Sequence, residues 1–253
     1  MTMPATTDRT ANPSPIAILT YHQVDAIPAR GAPFRGIYVT PATFARQMGL
    51  LKWMGYQGLS MSALMPYLRG ERTGKVVGIT FDDGYLNNLQ HALPALAHHG
   101  FSSTCFAVSQ LLGKTNAWDL EVGIAQTPLM SDSQIRQWVA GGQEIGAHTR
   151  HHVRLEQADA ANCRAEIRLC KSELEAVVDA PVNHFCYPYG EFSALHTEMA
   201  RDAGYSSATT TQRSRCHRGE DMMLLPRVPV LNTTTQATLW LKLATTYEDR
   251  RRA

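Results

Sequence analysis

The sequence predicts an α/β protein built on a mostly parallel sheet, open or closed into a barrel. Three observations carry this expectation. Strand-like and helix-like segments alternate along the 253 residues with no evident linker or repeat. The strand-like segments are short apolar runs, as expected of strands buried on both faces. The residue types that do chemistry follow those runs directly, and alternating barrels gather their active sites at the C-terminal ends of strands.

In chain order, Ile16–Tyr21 reads as a buried strand, and a Gly/Pro-rich loop follows from Ala26 to Tyr38. Thr40 and Pro41 form an N-cap with proline at the first helical position. Phe44, Met48, Leu51 and Met54 then recur at helical spacing. Lys75–Phe81 (KVVGITF) is the clearest strand, stopped abruptly by Asp82-Asp83-Gly84. Leu86–His98 reads as helix and Ser103–Val108 as strand. Ser131 to Gln134 form a capping box opening a helix through Val139. Glu144–Ala147 is a short strand, Ala158–Val178 a long amphipathic helix, and His184–Tyr187 a strand. Helix Ser193–Ala203, strands Tyr205–Thr209 and Leu225–Val230, and helix Thr234–Thr245 complete the alternation.

Composition narrows the function. A hydrophobic share of 44% and a charged share of 18% describe an ordinary globular chain. A formal net charge of +2 argues against nucleic acid or an acidic membrane surface as partner. No apolar window is long enough to span a bilayer. Residues 1–15 form a polar, Thr- and Pro-rich leader with neither a basic nor an apolar signal region, so the expectation is one domain over residues 16–253, working in the cytoplasm. Cys105, Cys163, Cys170, Cys186 and Cys216 are odd in number and contain no CxxC pair, which argues against a disulfide framework. Cys163 and Cys170 share a helical stripe with Ile167, Leu174 and Val178, the pattern of core residues.

Three strand ends carry candidate chemistry. Adjacent side chains of an extended backbone alternate, so Asp82 and Asp83 point different ways; one can bind a metal while the other faces a substrate as base. The competing reading is a plain Asp-Asp-Gly turn. His148 and His152 lie four apart, which on one helical turn puts both imidazoles on one face. Two imidazoles and a carboxylate make a metal set with open positions. A solvated His-rich loop is the competing reading, and His151 offers a substitute for either neighbour. His91, His98, His99, His184, His196 and His217 show no carboxylate pairing and default to the surface or helix ends. At the third strand end, Tyr187-Pro188-Tyr189-Gly190 is a tight turn that can aim a backbone N–H at an oxyanion, with Tyr189 walling a sugar pocket. Trp118-Asp119 reads as a packed loop, or as the lining of a sugar cleft.

Taken together and in this order, Thr80-Phe-Asp-Asp-Gly84, His148-Thr-x-x-His152 and Tyr187-Pro-Tyr-Gly190 resemble the NodB-homology polysaccharide deacetylases, carbohydrate esterase family four. The resemblance runs from Ile16 to Val230. It implies a distorted (β/α)7 barrel, TIM-like, and a divalent metal, usually zinc, with cobalt, nickel or iron also suited to the ligands. It also implies hydrolysis of the linear amide of N-acetylated saccharides. Asp82 then matches the catalytic base, Asp83, His148 and His152 the metal ligands, and Tyr189 the oxyanion donor, with Pro188 in the same substrate-side turn.

Three departures stand out. Cys186 occupies the place of an arginine that orients the base, and Arg227 at a later strand end is the candidate substitute. No Leu-x-His follows His217 to supply a general acid. Tyr21-His22 resembles the branch acting on poly-N-acetylglucosamine-type exopolysaccharides, so His22 is the candidate acid or stabiliser and Tyr21 a substrate-side residue. Two rival functions remain: hydrolysis of a lipid-linked sugar, small N-acyl or cyclic amide metabolite, and an inactive carbohydrate-binding module on the same scaffold.

Overall fold

Every strand of the main sheet runs parallel to its neighbours, as the strand–helix alternation requires. The structure, a computed structural model, describes residues 14–252; the expected leader therefore lies outside it except for Ser14 and Pro15. The strands are β1 (Ile18–Tyr21), β2 (Gln23–Val24), β3 (Tyr38–Val39), β4 (Gln57–Leu59), β5 (Val76–Phe81), β6 (Thr104–Ala107), β7 (Glu144–Ala147), β8 (His184–Cys186), β9 (Ser207–Arg213) and β10 (Leu225–Pro229). The helices are α1 (Pro41–Trp53), α2 (Met61–Leu68), α3 (Leu93–His99), α4 (Asp132–Ala140), α5 (Ala160–Val178), α6 (Ala194–Asp202) and α7 (Gln236–Ala244).

The ring β1-β10-β9-β8-β7-β6-β5 closes through the β1–β5 pairing, giving a seven-stranded parallel barrel. Strand β4 is an eighth member outside the ring. It pairs with Val76–Gly78 of β5, while β6 takes Thr80–Phe81 of the same strand. Neither β4, α2 nor the small β2–β3 sheet was legible in sequence: the strands are two or three residues long and α2 contains Pro66.

Helix boundaries follow local chemistry. The Thr40 hydroxyl accepts from the Thr43 N–H at 3.1 Å, with Pro41 opening α1. Helix α5 begins at Ala160 rather than Ala158, because the Asp159 carboxylate caps the N–H groups of Ala161 and Asn162. The expected helix Leu86–His98 is broken into a π-turn at Asn88–Ala92 followed by α3. Pro94 lacks the N–H that would continue an α ladder across that junction.

The larger apolar layer lies between the barrel and its helices, where Tyr21, Phe44 and Phe81 are fully buried in mutual ring contact and buried Trp138 packs edge-on against Phe81. Burying each such side chain contributes about 1.5–3 kcal/mol. A second cluster, including Ile18, Phe106, Cys186 and Leu225, meets Met61, Leu64 and Met65 of α2. Gly146 on β7 makes room for Phe106, whose ring would lie 2.4 Å from a Cβ there. All five cysteines are free and buried, and Cys163, Ile167, Cys170 and Leu174 form the buried stripe of α5.

Two histidines expected to lack carboxylate partners have them. His184 is 1% exposed, lies in β8, and has hydroxyl partners in Ser62 (2.9 Å) and Ser207 (2.8 Å), with Glu144 at 3.7 Å. These partners come from other strands and from α2, far away in sequence. His217 likewise lies 3.5 Å from Asp249.

Candidate metal centre and active cleft

The adjacent carboxylates after β5 part company. Asp82 continues the strand, its N–H donating to the Tyr21 carbonyl at 3.0 Å, and its side chain is held by both arms of the Arg227 guanidinium at 2.7 and 2.8 Å. Burial pushes the Asp82 carboxyl up, but the Arg227 charge outweighs it and holds the group below the usual carboxylate value. Asp83 turns at φ 73° and presents Oδ1 to the Nε2 atoms of His148 and His152, each at 3.4 Å. Burial again opposes ionisation, and the two imidazoles more than offset it.

The His148–His152 stretch is not helical. The chain reverses through left-handed Thr149 (φ 61°) and His152 (φ 58°), and this loop, rather than an i,i+4 helix face, brings the imidazoles together. His148 Nδ1 lies 2.8 Å from the Cys186 carbonyl, so its N–H there leaves Nε2 free as a ligand. Burial pushes His148 down, yet Cys186 and the carboxylates Asp83 and Asp82 hold it well above the ordinary imidazole value; in His152 burial prevails over Asp83 and the shift is downward. Six described non-glycine residues adopt positive φ, and only Asp179 lies outside the loops of this cleft; the others are Phe34, Asp83, Thr149, His152 and Tyr189. Such backbone strain costs about 1–2 kcal/mol per residue, so its concentration here marks a functional site.

Glu166 of α5 clamps the loop. Its buried carboxylate accepts from the N–H groups of Arg150 (2.8 Å) and His151 (3.0 Å) and contacts His151 Nδ1 at 2.7 Å. His151 is thereby drawn away from the ligand cluster. Glu166→Ala removes three charge-assisted bonds and is expected to lower metal affinity roughly tenfold, as loss of outer-shell support does. Competition with a chromophoric chelator reads this directly; unchanged affinity would show that the loop holds itself.

The ligand atoms of Asp83, His148 and His152 all lie within 4.8 Å of one another. One carboxylate and two imidazoles fit a divalent ion with positions left for water and substrate. A second cluster, Asp82, His148 and Cys186, meets the same distance test. There, however, Arg227 already bonds both Asp82 oxygens and approaches Cys186 Sγ at 3.2 Å, so a cation is in place. The chemistry of the donors therefore favours the Asp83 set.

Arg227 arrives from β10, two strands away from β8 in the ring, and its Nε also donates to the Thr210 carbonyl at 2.9 Å. The small Cys186 side chain accommodates it. His22 projects from the end of β1 with Nε2 3.9 Å from Asp82 Oδ2. Asn88, fully buried, fixes this corner by donating to the His22 carbonyl and accepting from the Val24 N–H. Tyr21, expected on the substrate side, points the other way: strand alternation sends it into the outer core, where its hydroxyl meets Gln47 at 3.0 Å. Pro188 is buried and shapes the turn without lining the cleft. Tyr189 does line it, at φ 60°, with the Arg154 guanidinium 3.9 Å above its ring. Gly190 (φ 74°) follows because a Cβ there would lie 1.9 Å from Thr211 Oγ1.

His22, Asp82, Asp83, His148, His152 and Tyr189 line a cleft of about 280 Å³ whose walls also include Phe34, Ile37, Trp118, Asp119, Ile124 and Thr211. Trp118 is thus a wall of the cleft rather than only a packed loop residue. Phe34 and Ile37 lie in the Gly/Pro-rich loop, where an isolated apolar residue was the only available signal; Asn88 and Glu166 gave none.

A family model described as polysaccharide deacetylase matches residues 69–208. YxkH of Bacillus subtilis, whose name places it among polysaccharide deacetylases, is 26% identical over 224 residues, 88% of this chain and 74% of that protein. The Streptococcus pyogenes deacetylase PplD, solved in complex with acetate, superposes with a TM-score of 0.80 at 23% identity, covering 91% of this chain and 99% of that one. BC0361, a polysaccharide deacetylase from Bacillus cereus, gives 0.77 at 25% identity, covering 91% and 69% respectively.

Proposed function

The chain belongs to the polysaccharide deacetylase family, and from that premise we propose that it hydrolyses N-acetyl groups of N-acetylated sugars with a divalent ion held by Asp83, His148 and His152. The observation that carries this reading is the division of labour between neighbouring carboxylates. Asp82 is bonded by a guanidinium and Asp83 faces two imidazoles, so one chain turn supplies both a base and a ligand. When bound, zinc or a similar ion supplies Lewis-acid polarisation of the acetyl carbonyl and acidifies water. Asp82, kept anionic by Arg227, accepts a proton from the attacking water. The Tyr189 backbone N–H serves as oxyanion donor. His22, which lines the cleft 3.9 Å from Asp82, gives a proton to the departing amine in this reading.

An exopolysaccharide of the poly-N-acetylglucosamine type is the first choice of substrate, on the strength of the Tyr21-His22 pattern. Phe34 (60% exposed), Ile37 and Ile124 in the walls favour the second reading, a lipid-linked sugar or small N-acyl metabolite. No described helix is long and apolar enough to cross a membrane. A panel of N-acetylglucosamine oligomers and acylated glycolipids, followed by acetate and amine detection, separates the two. Release is expected to stop after chelation, to return with zinc or cobalt, and to be absent in Asp83→Ala, which no longer retains metal. Full activity after complete metal removal would refute the metal mechanism, and saccharide binding without acetate release would favour the inactive binder.

A further inference from the structure

We propose that Trp118 is a positioning residue for metal capture, its stacked indole holding the His152 ring in place of the hydrogen bond that its second nitrogen, Nδ1, lacks. The inference rests on the reading of His152 as a ligand. A ligand imidazole ordinarily fixes its orientation through its second nitrogen. His148 does this, with Nδ1 2.8 Å from the Cys186 carbonyl. His152 does not: its Nδ1 is buried with no hydrogen-bond partner among the described residues. The ring is instead boxed by aromatic faces. Trp118 stacks on it at 4.2 Å with planes 23° apart, while Tyr189 and His148 meet it edge-on at 4.6 and 4.9 Å.

The loop that presents the indole is itself well tied. Asn116, fully buried, donates to Asp119 Oδ2 (2.8 Å) and the Ala125 carbonyl (3.3 Å) and accepts from the Thr127 N–H (2.6 Å). A β-bridge between Thr115 and Pro128 closes the loop base. Trp118 therefore reaches His152 from a braced segment, and its face opposes rotation of the imidazole about its Cβ–Cγ bond. A ligand imidazole also gains positive charge on metal binding, and an indole face is the best aromatic partner for such charge. The stack is expected to tighten as metal binds.

The test measures zinc affinity of the chelator-stripped full-length protein by competition, with the cobalt absorption spectrum as a second readout. Trp118→Leu, which keeps apolar bulk but no ring, is expected to bind zinc roughly 10–100-fold more weakly and to alter the cobalt spectrum. Trp118→Phe, which keeps a stacking ring, is expected to restore both toward wild type. His152→Ala serves as reference, and thermal unfolding checks that each variant is folded. Wild-type affinity and spectrum in Trp118→Leu, alongside loss in His152→Ala, would overturn the proposal while leaving the ligand set standing. Equal losses in the Leu and Phe variants would overturn it too, since the ring would not be the cause. Wild-type metal binding by His152→Ala would instead overturn the ligand reading beneath it.

Discussion

Arg227→Leu is expected to cost about 3–5 kcal/mol of folding stability and to abolish acetate release. Removing one partner of a buried ion pair leaves the other as an uncompensated charge, which is far more damaging than replacing both. Asp82 and Arg227 are 3% and 2% exposed, and the guanidinium bonds both carboxylate oxygens. Lowered in the folded state, the Asp82 pKa contributes stability that is complete above its unfolded value near 3.8 and is lost as pH falls through the folded value. Leucine reverses the sign: the buried carboxyl, without its counter-ion, prefers to be neutral. The gap between variant and wild type should therefore be widest at neutral pH, begin to shrink above the unfolded value near 3.8 as the variant's carboxyl takes up its proton, and go on shrinking as pH falls through the wild-type folded value. Urea denaturation at a series of pH values measures this, and a pH-independent gap would locate the damage in packing alone. Arg227→Lys is expected to recover only part of the loss, because an ammonium cannot form the two parallel bonds.

Asp82→Asn is expected to lower acetate release by roughly 10²–10⁴-fold while leaving metal content unchanged, the usual worth of a positioned general base. The amide can still accept a bond from Arg227, and the Thr210 carbonyl and Thr80 hydroxyl remain as further partners, so the guanidinium is not abandoned. Its counter-charge is gone, however, and the metal measurement belongs on the folded fraction after gel filtration. Normal turnover by this variant would remove Asp82 from the role of base. Loss of metal together with activity would mean that Asp82, rather than Asp83 alone, belongs to the ligand set, and would return attention to the cluster of Asp82, His148 and Cys186.

Much of this protein was legible along the chain. Strand β5 is buried throughout and rich in β-branched residues, and β7 matched its expected bounds. Capping chemistry located the starts of α1 and α4, because an N-cap is a contact over two or three residues and so is written locally. Asp82, Asp83, His148 and His152 stood out because they belong to motifs that begin at strand ends, and parallel barrel strands deliver such ends to one face. Local signals stop there. Strand β4 and helix α2 are held by neighbours distant in sequence, and their own residues carry too little pattern to announce them.

Sequence alone thus determined the alternating parallel architecture and the side chains that meet at the strand ends, since both follow from short-range periodicity and from motif order. Tertiary structure decided their relations. It set Arg227 against Asp82 across 145 residues, turned Tyr21 outward and His22 inward, bound His151 to Glu166, and laid Trp118 on His152. Each of these depends on which strands the ring makes neighbours and on loops held at positive φ, and neither is encoded within the reach of a single turn.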